Sequence, residues 1–316
     1  MSEPVVQTVY GIRIRTPWPI PALPLLTTAE WDVEFLEGAA KDFEQAARHV
    51  APAHRRRSAQ YAKLPDGSRY RRWANLLELL ISADARVVHA RAMPNTHPLA
   101  FQTYLLVDAL LFVMIRMGRE PLHATAVHTR HGIIAFAGAS GLGKSTLGAL
   151  FVRAGYRLVT DDMLVLAEAE DGFVAYPGPP RVKLYPETAD RIFEPGYYGM
   201  PMKPTTEKLL IPLEASQAVQ EPLPFQTLYL LKPTDDRAAH SEPCIRRITP
   251  ADAVAPIVAL TSGYCTDERE RLVRQFRFVT RLVQSAVVKT LSYRREPATM
   301  AQLRQAVIDD IASAVL

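Results

Sequence analysis

Hydrophobic positions along the chain fall into two differently patterned parts. In the first, short alternating runs predominate. Thr8 to Arg15 alternates as a half-buried strand does, Pro17 to Pro24 reads as a turn region, and Pro65-Asp66-Gly67 as a hairpin turn. The expectation is a mixed, β-rich N-terminal domain over residues 1–95. From Leu99 to Met117 the pattern changes to a long apolar helix, with Arg116 in its last turn and Gly118 where a C-terminal cap would stand. Its longest apolar run, Leu105 to Ile115, contains Asp108 and is too short to span a bilayer, so it reads as a buried helix.

The second part, residues 96–316, reads as an α/β domain. Ile133 to Ala137 is an apolar run; glycines follow, and then an apolar-periodic segment from Ser145 to Ala154 closed by Gly155: strand, loop, helix. Tyr156 to Thr160 is a second short strand, delivering Asp161 and Asp162 at its C-terminal end, and Met163 to Ala167 continues extended. After Asp171-Gly172 come a strand over Phe173 to Tyr176, a Pro/Gly-rich stretch from Gly196 to Pro212, and a strand over Leu228 to Leu231. Asp267 to Val288 is charged on one face and apolar on the other; Lys289 to Tyr293 reads as a last strand and Met300 to Val315 as a closing helix. The chain shows neither an internal repeat nor a low-complexity tract.

Composition narrows the class. With 316 residues, 48% of them hydrophobic and 22% charged, the chain suits a soluble globular protein with ample core. A formal charge of +4 suits an anionic ligand such as a nucleotide and does not demand a nucleic-acid partner. The two cysteines, Cys244 and Cys265, lie far apart, which excludes a disulfide framework and a zinc cluster. No charged-then-apolar signal opens the sequence, so the expected setting is a reducing cytoplasm with no membrane partner.

The sharpest signal is Gly138-Ala139-Ser140-Gly141-Leu142-Gly143-Lys144-Ser145, followed by Thr146. It satisfies the P-loop pattern, in the strand-to-helix context that pattern requires, and arises by chance at roughly one position in thirty thousand. Glycines let successive N–H groups turn inward, so the loop and the helix N-terminus cradle phosphate oxygens. Lys144 is the mobile charge for the β- and γ-phosphates, and Ser145 supplies an oxygen to Mg²⁺. Asp161 and Asp162 follow Lys144 by 17 and 18 positions, a helix and a short strand later. Neighbouring residues at a strand end point in opposite directions, so the pair is expected to divide its labour between holding the metal and accepting a hydroxyl proton.

Neither a guanine-reading N-K-x-D nor a transporter L-S-G-G-Q occurs, and Leu228 to Leu231 ends in Lys232 rather than an acid. GTPase and transport ATPase readings lose weight accordingly. A basic stretch, Arg55, Arg56, Arg57, Lys63, Arg69, Arg71 and Arg72, flanked by Tyr61, Tyr70 and Trp73, reads as a solvated hairpin face with its aromatics turned inward. Its other reading is a grip for an acidic peptide or a phosphate.

Leu122-His123-Ala124, the loop Gly138 to Ser145, and Arg157-Leu158-Val159-Thr160-Asp161-Asp162 together resemble the catalytic domain of bacterial HPr kinase/phosphorylase. The resemblance implies a P-loop kinase domain of the HPr kinase/PEP carboxykinase type. It places the active site at His123, Lys144, Asp161 and Asp162, with Ser145 and Asp161 toward the metal and Asp162 favoured over Asp161 as proton acceptor. In place of the family's glutamate-arginine-glycine signature stands Pro180-Arg181-Val182-Lys183-Leu184-Tyr185-Pro186-Glu187. There Glu187 takes the position of the metal-binding glutamate and Arg181 that of a phosphate clamp, and the reverse, phosphorylase reaction is not implied. The opening Tyr10-Gly11-Ile12-Arg13-Ile14 and the Pro-rich turn resemble HPr-kinase-related proteins of peptide maturation, including those that phosphorylate lasso-peptide precursors.

The expected activity is therefore ATP- and Mg²⁺-dependent phosphorylation of a serine hydroxyl on a peptide or protein, and the resemblance allows a homo-oligomer. A small-molecule kinase and a non-catalytic nucleotide sensor remain as alternatives.

Overall fold

The computed structural model describes residues 3–52, 59–193, 196–203, 206–234, 242–261, 263, 268–294 and 299–313. Arg55, Arg56, Arg57 and Cys265 lie outside them. Contacts divide the chain into two compact units, residues 1–118 with 201–206, and residues 119–200 with 207–316. The division thus falls after Gly118 rather than at 95/96.

The first unit is built on a seven-stranded sheet. In chain order it contains β1 (Val5–Val9), β2 (Ile12–Thr16), β3 (Val33–Glu37), α1 (Ala40–Ala47), β4 (Ala59–Lys63), β5 (Arg69–Trp73), β6 (Leu77–Ile81), β7 (Val87–Ala92), α2 (Pro98–Tyr104) and α3 (Leu110–Arg116), and the sheet order is β1-β2-β3-β7-β6-β5-β4. Thr8 to Arg15 is not one strand. Tyr10 and Gly11 both take positive φ, 55° and 68°, making the two-residue hairpin turn whose twist suits flanking strands. Pro65-Asp66-Gly67 does turn the β4–β5 hairpin, with the Asp66 carboxylate accepting from the Ser68 N–H.

The basic stretch is only partly a solvated face. Arg71 reaches Asp108 with two hydrogen bonds of 2.8 Å, Trp73 Nε1 donates to the same carboxylate at 3.0 Å, and it is Tyr61 that faces outward while Tyr70 is buried. Those bonds explain why the helical segment groups with the first unit. Asp108 sits in a π-helical turn, Leu105–Ala109, that joins α2 to α3. Pro98 at the first helical position and the His97 side chain, accepting from the Leu99 N–H, start the helix earlier than the apolar run alone implies. The resulting segment Pro98–Arg116 is by length and composition long enough to cross a membrane, yet 72% of its apolar 18-residue window is buried inside the protein, as in a core helix.

The second unit holds β8 (Ala124–Thr129), β9 (Gly132–Ala137), α4 (Lys144–Arg153), β10 (Arg157–Thr160), β11 (Val165–Ala169), β12 (Gly172–Tyr176), β13 (Arg181–Leu184), α5 (Pro186–Ile192), β14 (Met200–Lys203, straddling the division), β15 (Thr206–Pro212), β16 (Leu223–Thr234), β17 (Cys244–Arg247), α6 (Pro250–Val258), α7 (Arg269–Ser285), β18 (Val287–Arg294) and α8 (Thr299–Ser313). Its main sheet runs β10-β8-β9-β16-β12-β11, with β18 beside β16 and β17 beside β18. β16 pairs parallel to both β9 and β18, so the middle of the sheet is parallel and its rim antiparallel. Such a middle must be apolar on both faces, and β9 and β16 are. Ala135, Ala137, Leu228 and Leu230 face one core with α6 and α7, while the alternating Ile134, Phe136, Tyr229 and Leu231 face another with α4 and α8. The sheet is thus sandwiched between helices, an α/β architecture, and β13 pairs antiparallel with β15 on the α4 side. A buried polar knot fixes α8 there: the Tyr229 hydroxyl donates to Asp310 at 2.6 Å, and Lys289 Nζ donates to both oxygens of the same carboxylate.

Candidate active site

β9 ends at Ala137 and α4 begins at Lys144; the six residues between form the glycine loop. Two of its glycines are favoured by backbone angle and lie close against neighbouring side-chain ends. At Gly138 (φ 148°) a side chain would meet Leu142 Cδ1 at 3.0 Å, and at Gly143 (φ 82°), the residue that caps α4, it would meet Met300 Cε at 2.3 Å. Within α4, Gly148 lets β8 approach so closely that an added Cβ would stand 2.5 Å from Thr125 Cγ2. The N-terminus of α4 is thereby seated firmly against β8, with its first N–H groups presented as anion donors.

Lys144 is buried and folds back over the loop, its Nζ donating to the Gly138 and Ala139 carbonyls at 2.7 and 2.9 Å. Burial pushes its ammonium below the ordinary lysine value and Lys208 adds to this, while Asp162 and Asp161 pull the other way. An ammonium held by neutral carbonyls in a buried place gains strongly from an incoming anion.

The two aspartates separate as expected, though just past the end of β10 and through a turn rather than by strand alternation. Asp161 turns inward: its Oδ1 accepts from Thr125 Oγ1 at 2.6 Å and Ser145 Oγ at 2.8 Å, and its Oδ2 from the Lys183 N–H at 2.8 Å. One carboxylate therefore joins β8, α4 and β13. Asp162 takes a left-handed backbone (φ 82°), uncommon for a residue with a side chain, and this turn sends its carboxylate into the cavity. There Lys183 Nζ donates to Oδ2 at 2.5 Å, and His123 Nδ1 lies 3.3 Å from Oδ1 and 3.0 Å from the Asp162 backbone oxygen, within donating reach of an Nδ1–H tautomer.

The Asp162 carboxyl feels opposing influences. Burial raises its proton affinity, but the Lys183 charge and hydrogen bond, then His123 and Lys208, outweigh burial and bring its pKa from 3.8 down to about 2. A carboxylate more acidic folded than unfolded contributes stability above pH ~4, and that contribution disappears as pH falls toward 2. Acid titration of the ligand-free protein, followed by circular dichroism, should show this loss on the order of 1–2 kcal/mol. Lys183→Met should remove most of it; an unchanged acid profile in that variant would contradict the pairing.

The cavity measures about 560 Å³ and is lined by His123, the loop residues Ser140 to Thr146, Asp162, Lys183, Tyr185, Lys208 and Tyr293 among others. Its volume is that of a small-molecule site. Four cations, Lys144, Lys183, Lys208 and Arg191, line it against one carboxylate, Asp162, so it suits an anion. Among the described residues no three of His, Cys, Asp and Glu come together as a metal cage. Mg²⁺ uses one or two protein oxygens plus phosphates and waters; the Ser145 hydroxyl lines the cavity as one such donor, with the buried Asp161 hydrogen-bonded behind it.

Placement of the sequence-derived residues is uneven. His123, the loop, Lys144, Ser145, Thr146, Asp161 and Asp162 come together. Glu187 does not join them; it is exposed on the short helix α5 and does not line the cavity, nor does Arg181. The cation that does enter from that segment is Lys183, two residues along the same strand. Sequence reading also missed Thr125, whose role depends on a strand hairpin, and Lys208, which lies over the Tyr185 ring at 5.3 Å.

No protein-family model matches the chain, and no curated protein matches it. Among solved structures, the Hpr(Ser) kinase/phosphatase from Coxiella burnetii is similar over 62% of this chain and 99% of its own, with a TM-score of 0.36 and 9% identity. That likeness is too slight to assign a fold family or an activity.

Proposed function

We propose that the second unit is an ATP- and Mg²⁺-dependent phosphotransferase that acts on a serine hydroxyl of a peptide or protein, in the manner of HPr kinases and of their relatives that modify lasso-peptide precursors. The observation carrying this reading is the division of the aspartate pair: Asp161 bound back to the loop serine, Asp162 turned into a cation-lined cavity beside His123 and Lys183. ATP supplies the phosphoryl group and Mg²⁺ the neutralising charge. The chain's residues hold and orient. The α4 N-terminus and Lys144 would receive phosphate oxygens, Ser145 would face the metal with Asp161, bonded behind it, reaching it through water, and Lys183 with Lys208 would balance charge in the cavity. Asp162 accepts the hydrogen bond of the acceptor hydroxyl and then its proton; transfer through a loose transition state asks for orientation more than for a strong base.

A nucleotide-sensing role is the second reading, favoured by the tight Asp162–Lys183 pair, which occupies one oxygen of the would-be base. Measurement of ADP release with Mg²⁺·ATP separates the two. Release that rises with a serine-containing acceptor and vanishes in Lys144→Ala supports the kinase; tight ATP binding with no acceptor-dependent ADP supports the sensor. Serine as acceptor and homo-oligomeric assembly rest on the sequence resemblance, and a cytoplasmic setting on the cysteine pattern and the opening of the sequence; all belong to the same proposal.

A further inference from the structure

The cavity has two chemically distinct ends. At one, Asp162, His123 and Lys183 gather; the other continues along α4, where Thr146 and Leu150, one helical turn apart, both line it. Around Leu150 the lining gains apolar side chains, Ile192 of α5 and Met300 and Ala301 of α8, beside Thr188 and Arg191 of α5. Met300 sits on the loop itself, since an added Cβ at Gly143 would stand 2.3 Å from its methyl carbon. Its helix is held in place by Asp310, bonded by Tyr229 of β16 and Lys289 of β18, while the Tyr293 hydroxyl on β18 donates to the Leu142 carbonyl of the loop at 2.5 Å. The apolar wall is therefore tied to the sheet by Asp310 and lies against the glycine loop at Met300.

We propose that this end is the nucleobase subsite and that Met300, together with Leu150, grips a purine ring by contact with its faces. The inference rests on the phosphate-loop reading above. With phosphates at the α4 N-terminus and the transfer end occupied by Asp162, the nucleoside extends toward Leu150. A thioether and an aliphatic side chain make dispersion and sulfur–aromatic contacts that do not depend on the exocyclic groups of the ring. Adenine and guanine are thus held alike, and Met300 determines how tightly.

Calorimetric titration of the full chain, in Mg²⁺, with ATP, GTP and inorganic tripolyphosphate tests this, using wild type, Met300→Ala and Met300→Leu. Expected are ATP and GTP affinities within about tenfold of each other, an approximately tenfold loss for both in Met300→Ala, near-wild-type binding in Met300→Leu, and unchanged tripolyphosphate affinity throughout. Equal weakening of tripolyphosphate and ATP in Met300→Ala would overturn the subsite, because Met300 would then act through the loop. Unchanged ATP binding in that variant would overturn it as well, even if acceptor binding fell. Wild type that binds neither ATP nor tripolyphosphate would overturn the phosphate-loop reading together with the subsite.

Discussion

Asp162→Asn should lower phosphoryl transfer to a serine acceptor by about 10²–10⁴-fold in kcat, the usual worth of a positioned general base, and leave the KM for ATP within a few-fold. Asparagine is the informative replacement because residue 162 has φ 82°, a left-handed conformation that Asn tolerates, whereas Ala would add backbone strain to the loss of charge. The amide also keeps the size of the carboxylate against His123 and Lys183, so the readout isolates charge and basicity. Steady-state kinetics in both substrates checks it. A fall confined to ATP affinity would move Asp162 from the transfer step to nucleotide binding.

Asp161→Ala should show the opposite signature, a large loss of stability. Its carboxylate is buried and accepts from Thr125, Ser145 and the Lys183 backbone, and Thr125 is itself fully buried. Truncation leaves these donors without their acceptor, at a cost of about 2–4 kcal/mol. For a unit of this size that lowers Tm by on the order of 10 °C. Differential scanning calorimetry of Asp161→Ala and Asp162→Asn gives the comparison directly: Asp161→Ala should lower Tm the more, since Asp162→Asn forfeits only the roughly 1–2 kcal/mol of the Lys183 pairing. Equal effects on Tm would mean that the two carboxylates are not divided between scaffold and cavity.

This division also marks how far the sequence could be read. The strand, glycine loop and helix were legible because loop chemistry demands glycines at fixed places, and Gly138 and Gly143 bear that out in their positive φ. The separation of Asp161 from Asp162 was expected from strand alternation, but the left-handed turn at Asp162, just past β10, produces it. Which one faces the cavity could not be read from alternation, since it depends on the turn after Thr160 and on donors contributed by β8 and β13. Lys183 illustrates the limit. The segment Pro180 to Glu187 was recognisable as site-forming, but β13 pairs with β15 so that Lys183, not Arg181, reaches Asp162, and Glu187 ends on the outer side of α5. Tyr10-Gly11 was misread for a different reason: a hairpin turn flanked by alternating residues preserves period-two alternation, so β1 and β2 look like one strand. Cross-chain pairings such as Arg71 with Asp108 carry no local signal at all.

The most direct test of the account is mass spectrometry of serine-containing peptides, with HPr alongside, after incubation with the protein and Mg²⁺·ATP, in parallel with Lys144→Ala and Asp162→Asn. The account predicts addition of phosphate to a serine of at least one acceptor by the wild type, abolished in Lys144→Ala and strongly reduced in Asp162→Asn. Phosphate transfer that survives in both variants, or intact acceptors beside clear ATP binding by the wild type, would contradict it.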